Sequence, residues 1–353
     1  MKNKIVELIA ANVEGLTAAE IADLIEIPPK PELGDFAFPC FRLAKTMRKA
    51  PQMIANDIKE AIGDMDFLQE IQVQGAYLNF FVKKELFIET MVTASMADDF
   101  GSSTEGNGQT ICIDYSSPNV AKNFHVGHLR TTIIGNSLYK IYSKLGYKVV
   151  RINHLGDWGT QFGKLIVAYK AWGSEEAVKK DGVAELMKLY VKFHEEAEKN
   201  PELNDEARAW FAKMEHGDEE ALKIWQWFKD ISLIEYKRTY DLLGMDFDYY
   251  LGESFYRDKT DDVVKRLTDA NLLTESEGAK IVNLDAYDMA PCLILKNDGS
   301  SIYATRDIAA IFYRKETYNF VKCLYVTGQE QKLHFAQVFK VVELLGNDWA
   351  KDS

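Results

Sequence analysis

Two histidines stand three residues apart where a strand-like run gives way to a helical pattern. His125 and His128 enclose Gly127, follow the apolar run at 110–115 and precede a helical pattern that begins at Leu129. Side chains with this spacing share one face of a first helical turn, whose free backbone N–H groups favour anions. We therefore predict that the two imidazoles donate to phosphate oxygens as charge develops between the α- and β-phosphates of a nucleotide.

Lys122 and Gly127 also favour a nucleotide at this junction. A lysine places a compact positive charge near phosphate, and a glycine, which has no Cβ, lets a flat adenine ring lie close to the backbone. The alternative is a pair of histidines at a helix start that bond only to solvent or backbone. The Ser-Pro-Asn sequence at 117–119, together with Lys122, makes that alternative the weaker hypothesis.

The chain that must position these residues has the composition of a globular protein. Its 353 residues suffice for two domains, and 47% are hydrophobic and 27% charged. The formal net charge of −12 argues against binding nucleic acid through the overall electrostatic field. A local basic surface stays open, because a helix predicted over 42–49 would place Lys45, Arg48 and Lys49 within one turn. A solvated helix face is an equal alternative.

Neither a membrane segment nor a cysteine-based site is expected. The sequence contains no run of about 18 apolar residues, and its start shows an amphipathic helical pattern rather than a secretory signal. The four cysteines are far apart and lack C-x-x-C spacing. This argues against zinc or disulfides and indicates a reducing compartment. We therefore expect a cytoplasmic protein that does not bind membranes.

A polar stretch at 101–108 divides the sequence into two predicted domains. Residues 1–108 alternate helical and strand-like patterns, as in a small α+β domain. Residues 109–353 begin with a strand, a helix and a strand, a βαβ unit that predicts a parallel sheet with the histidine pair at its first crossover. Charged and apolar residues at helical spacing predict a helical insertion at about 174–245.

Four blocks of sequence, in this order, resemble those of arginyl-tRNA synthetases, which are class I aminoacyl-tRNA synthetases. SSPNVAKNFHVGH at 116–128 is similar to the HIGH motif of that class. The other blocks are NHLGDWGTQFG at 153–163, YATRDIAA at 303–310 and GQEQKLHF at 328–335. The resemblance covers essentially the whole chain and indicates the bacterial type. It implies an α/β fold, a Rossmann-like class I synthetase core with a helical insertion, preceded by a small α+β N-terminal domain.

The resemblance also implies which residues bind substrates. A planar guanidinium calls for carboxylates, so Asp307 would bind it and Tyr303, one turn earlier, would flank it. The residues implied for arginine are Asp114, Ser117, Asn119, His128, Glu253, Tyr303, Asp307 and Gln331. Those implied for ATP are His125, Gly127, His128, Gly156, Asp157 and His334, and the catalytic residues are His125, His128 and Lys122, with no metal ligands.

Structural alternatives stay open for several of these side chains. Glu253 could be a surface turn acid, Asp157 an acid in a loop or at an N-cap, and His334 a satisfied histidine on a helix face. Asp307 could also be an acid stabilised by a helix N-terminus, which is compatible with a role in the pocket.

The implied activity is arginine–tRNA ligation in protein synthesis. ATP, with Mg²⁺ on its phosphates, activates L-arginine to arginyl-adenylate, and the 3′ end of tRNA(Arg) then accepts the arginyl group. In the first domain, Tyr77 and Asn79 resemble residues that contact the tRNA D-loop. Alternate strand positions share a face, so Tyr77 could stack on a base while Asn79 bonds its edge. The alternative for Tyr77 is packing in the domain core. We expect a monomer.

The sequence departs from the family pattern at its end. No KMSKS-like loop or anticodon-binding domain follows residue 345, so we interpret the chain as a fragment of a longer enzyme and expect impaired arginine activation. One alternative is a non-catalytic tRNA-binding or assembly fragment of a synthetase, although the intact HVGH and pocket acids argue against it. Another is a small adenylyltransferase, which gives no reason for Tyr303 and Asp307.

Overall fold

The computed structural model describes residues 1–352 and divides after Gly101 into two units. The division falls earlier than the predicted position at 108. Ser103 N–H donates to Lys144 O at 2.9 Å and Gly106 N–H to Leu145 O at 2.8 Å, so this polar stretch is fixed to the second unit. Its turns are hydrogen-bonded rather than forming a free linker.

The first unit packs helices on a three-stranded antiparallel sheet in the order β1-β3-β2. A capping box begins the second helix, since Glu20 N–H donates to Thr17 Oγ1 at 3.3 Å and Thr17 N–H donates to Glu20 at 2.8 Å. The elements are α1 Lys2–Asn12, α2 Ala18–Leu24, β1 Phe36–Pro39, α3 Ala44–Met47, α4 Pro51–Ile62, β2 Leu68–Gln74, β3 Tyr77–Val82 and α5 Lys84–Ser95.

The helix predicted over 42–49 is largely wrong. A 3₁₀ turn occupies Cys40–Leu43, α3 has only four residues, and Arg48 is left-handed with φ 50°. Lys49 Nζ pairs with Asp57 at 2.6 Å. The basic residues therefore do not share one helical turn, because the strand β1 and the turn after it override the local helical pattern.

The second unit is built on a four-stranded parallel sheet in the order β10-β4-β5-β6, and the prediction of a parallel sheet is confirmed. Its strands are β4 Thr110–Asp114, β5 Lys148–Asn153, β6 Tyr249–Tyr250 and β10 Lys322–Tyr325. The helix α6, Val126–Lys144, connects β4 to β5. Parallel strands all end at the same sheet edge, and this edge carries the site.

Five helices lie between β5 and β6, and four of them occupy the predicted insertion. They are α7 Thr160–Trp172, α8 Glu175–Asp181, α9 Val183–Lys199, α10 Glu202–Glu215 and α11 Glu219–Leu242. Ser174 caps α8 and Asp218 caps α11. The buried residues of α11 include Phe228, Tyr236 and Tyr240, which pack in one core with the sheet.

A small antiparallel sheet in the order β7-β8-β9 packs with the last helices. Its strands are β7 Leu273–Ser276, β8 Ala279–Val282 and β9 Cys292–Leu295, and the helices are α12 Glu253–Tyr256, α13 Thr260–Asp269, α14 Tyr303–Tyr318 and α15 Lys332–Leu344. Within residues 1–352, every helix is too short or too polar to cross a membrane.

Candidate active site

A cavity of about 450 Å³ opens at the carboxyl ends of the parallel strands. Nine residues predicted from the sequence line it, although they come from positions as far apart as 114 and 334. They are Asp114, Ser117, Asn119, Gly156, Glu253, Tyr303, Asp307, Gln331 and His334, and His154, Thr327 and Phe335 complete the lining.

The loop after β4 has a backbone conformation that side chains rarely adopt. Ser116, Ser117 and Ala121 have φ values of 72°, 47° and 60°, and non-glycine residues persist there only when neighbouring groups hold them. Those groups come from α11: Tyr240 Oη bonds Ser116 Oγ at 2.7 Å, and Ser232 Oγ accepts from Ala121 N–H at 2.9 Å. The helical insertion thus fixes the loop.

Asn119 is held at the cavity because the backbone at 118–120 lies close against the backbone at Gly156. Val120 N–H donates to Gly156 O and Gly156 N–H to Pro118 O, both at 3.1 Å. A Cβ on Gly156 would lie 1.9 Å from Asn119 Oδ1, so only glycine allows this approach. Tyr236 Oη also donates to Asn119 O at 2.6 Å.

At one end of the cavity, both carboxylate oxygens of Asp114 are held. Ser117 Oγ donates to Oδ1 at 2.7 Å, and Arg314 Nη2 donates to Oδ2 at 2.7 Å. Arg314 is fully buried. Burial, the largest influence, would lower the pKa of this guanidinium, but the Asp114 charge together with Tyr325, Tyr256 and Cys323 raises it, so Arg314 stays charged.

A second carboxylate of the lining, Asp307, is contacted by two histidines. It projects from α14 one turn after Tyr303 and accepts from His334 Nε2 at 2.6 Å, while His154 Nε2 lies 3.8 Å away. The third acid differs, because Arg306 donates to Glu253 Oε2 at 2.9 Å. Burial raises the pKa of Glu253, and the Arg306 charge opposes that rise.

The cavity therefore carries three carboxylates, of which two are paired with guanidinium groups. The two guanidinium groups balance the charges of Asp114 and Glu253. When His334 is neutral, the negative charge of Asp307 is therefore not balanced by a cation in the cavity lining. A buried site with one unpaired charge favours a ligand head of the opposite charge. The geometry suits a planar cation at Asp307 and a polar group near Asp114.

The HVGH histidines form a stacked pair at the start of α6. Their ring centroids are 3.9 Å apart. His125 Nδ1 accepts from Gly127 N–H at 3.1 Å, and His128 Nδ1 accepts from His125 N–H at 3.3 Å. A neutral imidazole whose Nδ1 accepts carries its hydrogen on Nε2, so both Nε2–H groups are left as donors.

Burial, and then the charges of His125 and Lys122, lower the pKa of His128 to about 4. His128 is therefore a neutral donor at pH 7. Gly127 has a role beyond the predicted one, since a Cβ there would lie 2.9 Å from His125 Cε1. His125, Gly127, His128 and Lys122 stand at the same sheet edge but outside the cavity lining.

The structure corrects two sequence predictions. Asp157 is fully buried, accepts from Ser254 Oγ at 2.7 Å and pairs with Lys229 Nζ at 2.6 Å, so its carboxylate is occupied and does not face a nucleotide. Asn79 is 3% exposed in the central strand of its sheet and cannot reach an RNA base edge. Tyr77 is half-buried, with its ring 6.0 Å from that of Phe41.

Sequence reasoning missed His154, Arg306 and Arg314. His154 and Arg306 lie inside two of the four sequence blocks that resemble the family, at 153–163 and 303–310. Arg314 lies seven residues after Asp307, two turns along the same helix face, which is the one signal that could have found it. Among residues 1–352, no three His, Cys, Asp or Glu side chains are grouped to hold a metal ion.

Comparisons with known proteins agree in one family. The family model described as "tRNA synthetases class I (R), catalytic domain" matches residues 91–352, and "Arginyl tRNA synthetase N terminal domain" matches residues 3–82. Curated proteins named arginine–tRNA ligase from Alkaliphilus metalliredigens and Clostridium perfringens are 58% and 57% identical. Each alignment covers 99% of this chain, and the chain spans 62% of the length of these relatives.

Solved structures give the same result for the fold. Arginyl-tRNA synthetase from Plasmodium falciparum superposes with a TM-score of 0.67 at 25% identity, over 98% of this chain and 62% of that one. The Thermus thermophilus enzyme also has a TM-score of 0.67, at 21% identity, over 100% of this chain and 64% of that one. The parallel sheet and helical insertion are thus the Rossmann-like core of a class I synthetase, and this chain belongs to the arginyl-tRNA synthetase family.

Proposed function

We propose that this cavity binds L-arginine and that the protein activates it with ATP and transfers it to tRNA(Arg) in protein synthesis. The observation that carries the proposal is the single carboxylate without an arginine partner, Asp307, at the opposite end of the cavity from Asp114. A guanidinium at Asp307 leaves the α-amino group of arginine toward Asp114, Ser117 and Asn119. Tyr303 and Gln331 then flank the side chain.

The chemistry requires no protein nucleophile. The carboxylate of arginine attacks the α-phosphate of ATP, which releases pyrophosphate and leaves arginyl-adenylate. The 3′-terminal ribose hydroxyl of the tRNA then takes the arginyl group and releases AMP. ATP enters as its magnesium complex, whose ion is held mainly by phosphate oxygens and water. The protein contributes position and charge stabilisation.

The histidine pair supports the phosphate part of this proposal. His125 and His128 each have a free Nε2–H at the start of α6, where helix N–H groups also favour anions. Loss of one donor of this kind reduces the rate by about 100- to 1,000-fold. Lys122 adds a positive charge beside them.

For the tRNA, the proposal assigns Tyr77 to base stacking in the D-loop, because it is half-exposed and adjoins the exposed ring of Phe41. Aromatic rings bind unpaired RNA bases in this way. A cytoplasmic location and a monomeric state belong to the same proposal.

Calorimetric titration with free amino acids tests the arginine pocket. Citrulline has nearly the shape of arginine but no charge, and lysine has a compact cation that cannot form two parallel hydrogen bonds. We expect arginine to bind at least about 30-fold more tightly than citrulline, since a buried charge pair contributes about 2 kcal/mol or more. Arginine should also bind more tightly than lysine, because the ammonium group lacks the second parallel hydrogen bond. Equal binding of citrulline would contradict the proposal. Pyrophosphate exchange with tRNA present then measures activation.

A further inference from the structure

One buried arginine lies behind the cavity and contacts groups that serve both of its ends. The Arg314 side chain has no exposed surface. Its Nη2 donates to Asp114 Oδ2 at 2.7 Å and lies 3.3 Å from His154 Nδ1. It does not line the cavity itself, and no block of the sequence resemblance includes it.

The contact with Asp114 fixes the direction of this carboxylate, which is 6% exposed. Because Ser117 Oγ already donates to the other oxygen, the Arg314 contact leaves Asp114 a single orientation. A carboxylate held in one direction is what an α-amino group at this end requires.

The contact with His154 determines its tautomer. A guanidinium can only donate hydrogen bonds, so His154 Nδ1 must accept and its hydrogen resides on Nε2. That Nε2 lies 3.8 Å from Asp307 Oδ1. His154 therefore turns an N–H donor, Nε2, toward Asp307.

The Arg314 guanidinium is surrounded by aromatic side chains as well as by Asp114. The Tyr325 ring lies 5.2 Å from it, and Tyr256 is a second aromatic neighbour. A buried ion pair is by itself weak evidence for a stabilising role. The role in the site is indicated by the contacts of Arg314 with Asp114 and His154, both of which line the cavity.

We propose that Arg314 is a positioning residue for arginine recognition: it fixes the direction of the Asp114 carboxylate at the amino end of the cavity and the Nε2–H tautomer of His154 at the guanidino end. The proposal rests on the proposed function, because it assigns both ends to one substrate. The competing explanation is that the Arg314–Asp114 ion pair only holds α14 against β4. Removing Arg314 would then change the stability of the protein but not its binding of arginine.

The first test needs no substrate. Nitrogen-15 NMR of the six histidines, assigned with a His154→Gln variant, reports the tautomer of each ring. The groups that face His154 are Arg314, Asp307, Glu253 and Tyr256. We expect the Nε2–H tautomer in the unsubstituted chain and in Arg314→Lys, whose side chain also only donates. In Arg314→Gln the side chain can accept as well as donate, so the Nδ1–H tautomer of His154 should become populated. An unchanged tautomer would overturn the proposal.

The second test separates the two ends by ligand. 5-Guanidinopentanoic acid is arginine without its amino group, so the ratio of its Kd to that of arginine measures the amino end. We expect that ratio to be about 10-fold or more in the unsubstituted chain and to fall to within about 3-fold in Arg314→Gln. Arg266→Gln, at an exposed ion pair on α13, is the matched control and should leave the ratio unchanged.

A variant that does not fold, or a chain that does not bind arginine, would each require a different reading of these tests. If Arg314→Gln does not fold, Asp114→Asn with Arg314→Gln removes both charges of the buried pair and still reports the His154 tautomer. If the unsubstituted chain binds no arginine, the proposed function fails, and the NMR experiment alone judges Arg314. Retention of the full ratio in Arg314→Gln, with an unchanged His154 tautomer, leaves only the role of holding α14 against β4.

Discussion

Replacing Asp307 by asparagine removes the one cavity carboxylate that has no arginine partner. The side chain is 20% exposed, so a guanidinium bound there is largely desolvated. Two unit charges 4 Å apart attract by about 4 kcal/mol at an effective dielectric of about 20. Truncating one partner of such a pair loses about 2–5 kcal/mol. We therefore expect Asp307→Asn to weaken arginine binding by about 30- to 5,000-fold.

Asparagine keeps the size of the side chain and an oxygen that can accept from His334, so the loss reports charge rather than shape. Calorimetry with arginine and citrulline measures it. Arginine should lose affinity, whereas citrulline should bind both proteins alike, which abolishes the discrimination. Asp262→Asn, an exposed acid paired with Arg266, is the control and should change neither affinity. Arginine binding to Asp307→Asn within about 3-fold of the unsubstituted chain would refute the assignment.

Three further predictions follow from the same contacts. Glu253→Gln leaves Arg306 as an unpaired cation and should weaken arginine binding. The double variant Glu253→Gln with Arg306→Gln should recover most of the lost affinity. Strictly additive losses of affinity in calorimetry would contradict this. His128 should titrate by NMR at about pH 4. Because folding lowers the pKa of His128 from about 6.5 to about 4, the stability of the folded protein should fall as the pH drops from 6.5 to 4. A titration midpoint near 6.5 would contradict this prediction. Gly135→Ala places a Cβ 2.2 Å from Tyr115 Cγ and should destabilise by about 1–3 kcal/mol in urea unfolding; unchanged stability would be the opposing result.

Long periodic segments were predictable from the sequence, and short irregular ones were not. The helical insertion predicted at about 174–245 contains α8 to α11 in the structure, because long amphipathic patterns such as the seventeen residues of α9 leave little ambiguity. The parallel sheet followed from alternating strand and helix patterns. The strand β7 was missed, since three of its four residues are exposed and polar and its pairing depends on β8.

For the site, resemblance supplied residues that tertiary structure alone could bring together. Nine of them line one cavity. Arg314 was missed, because an arginine within a helical pattern is typical of an exposed face, and the packing of α14 on the sheet buries it. Asp157 was misassigned for a similar reason: its partner Lys229 lies on the insertion, 72 residues further along the chain.

A crystal structure with a non-hydrolysable arginyl-adenylate analogue tests the central claim most directly. We predict the guanidinium on Asp307, the amino group facing Asp114, and the phosphate-mimicking group toward the Nε2 atoms of His125 and His128. A guanidino group bound away from Asp307, or imidazoles that open on a different cleft from the acids, would contradict it.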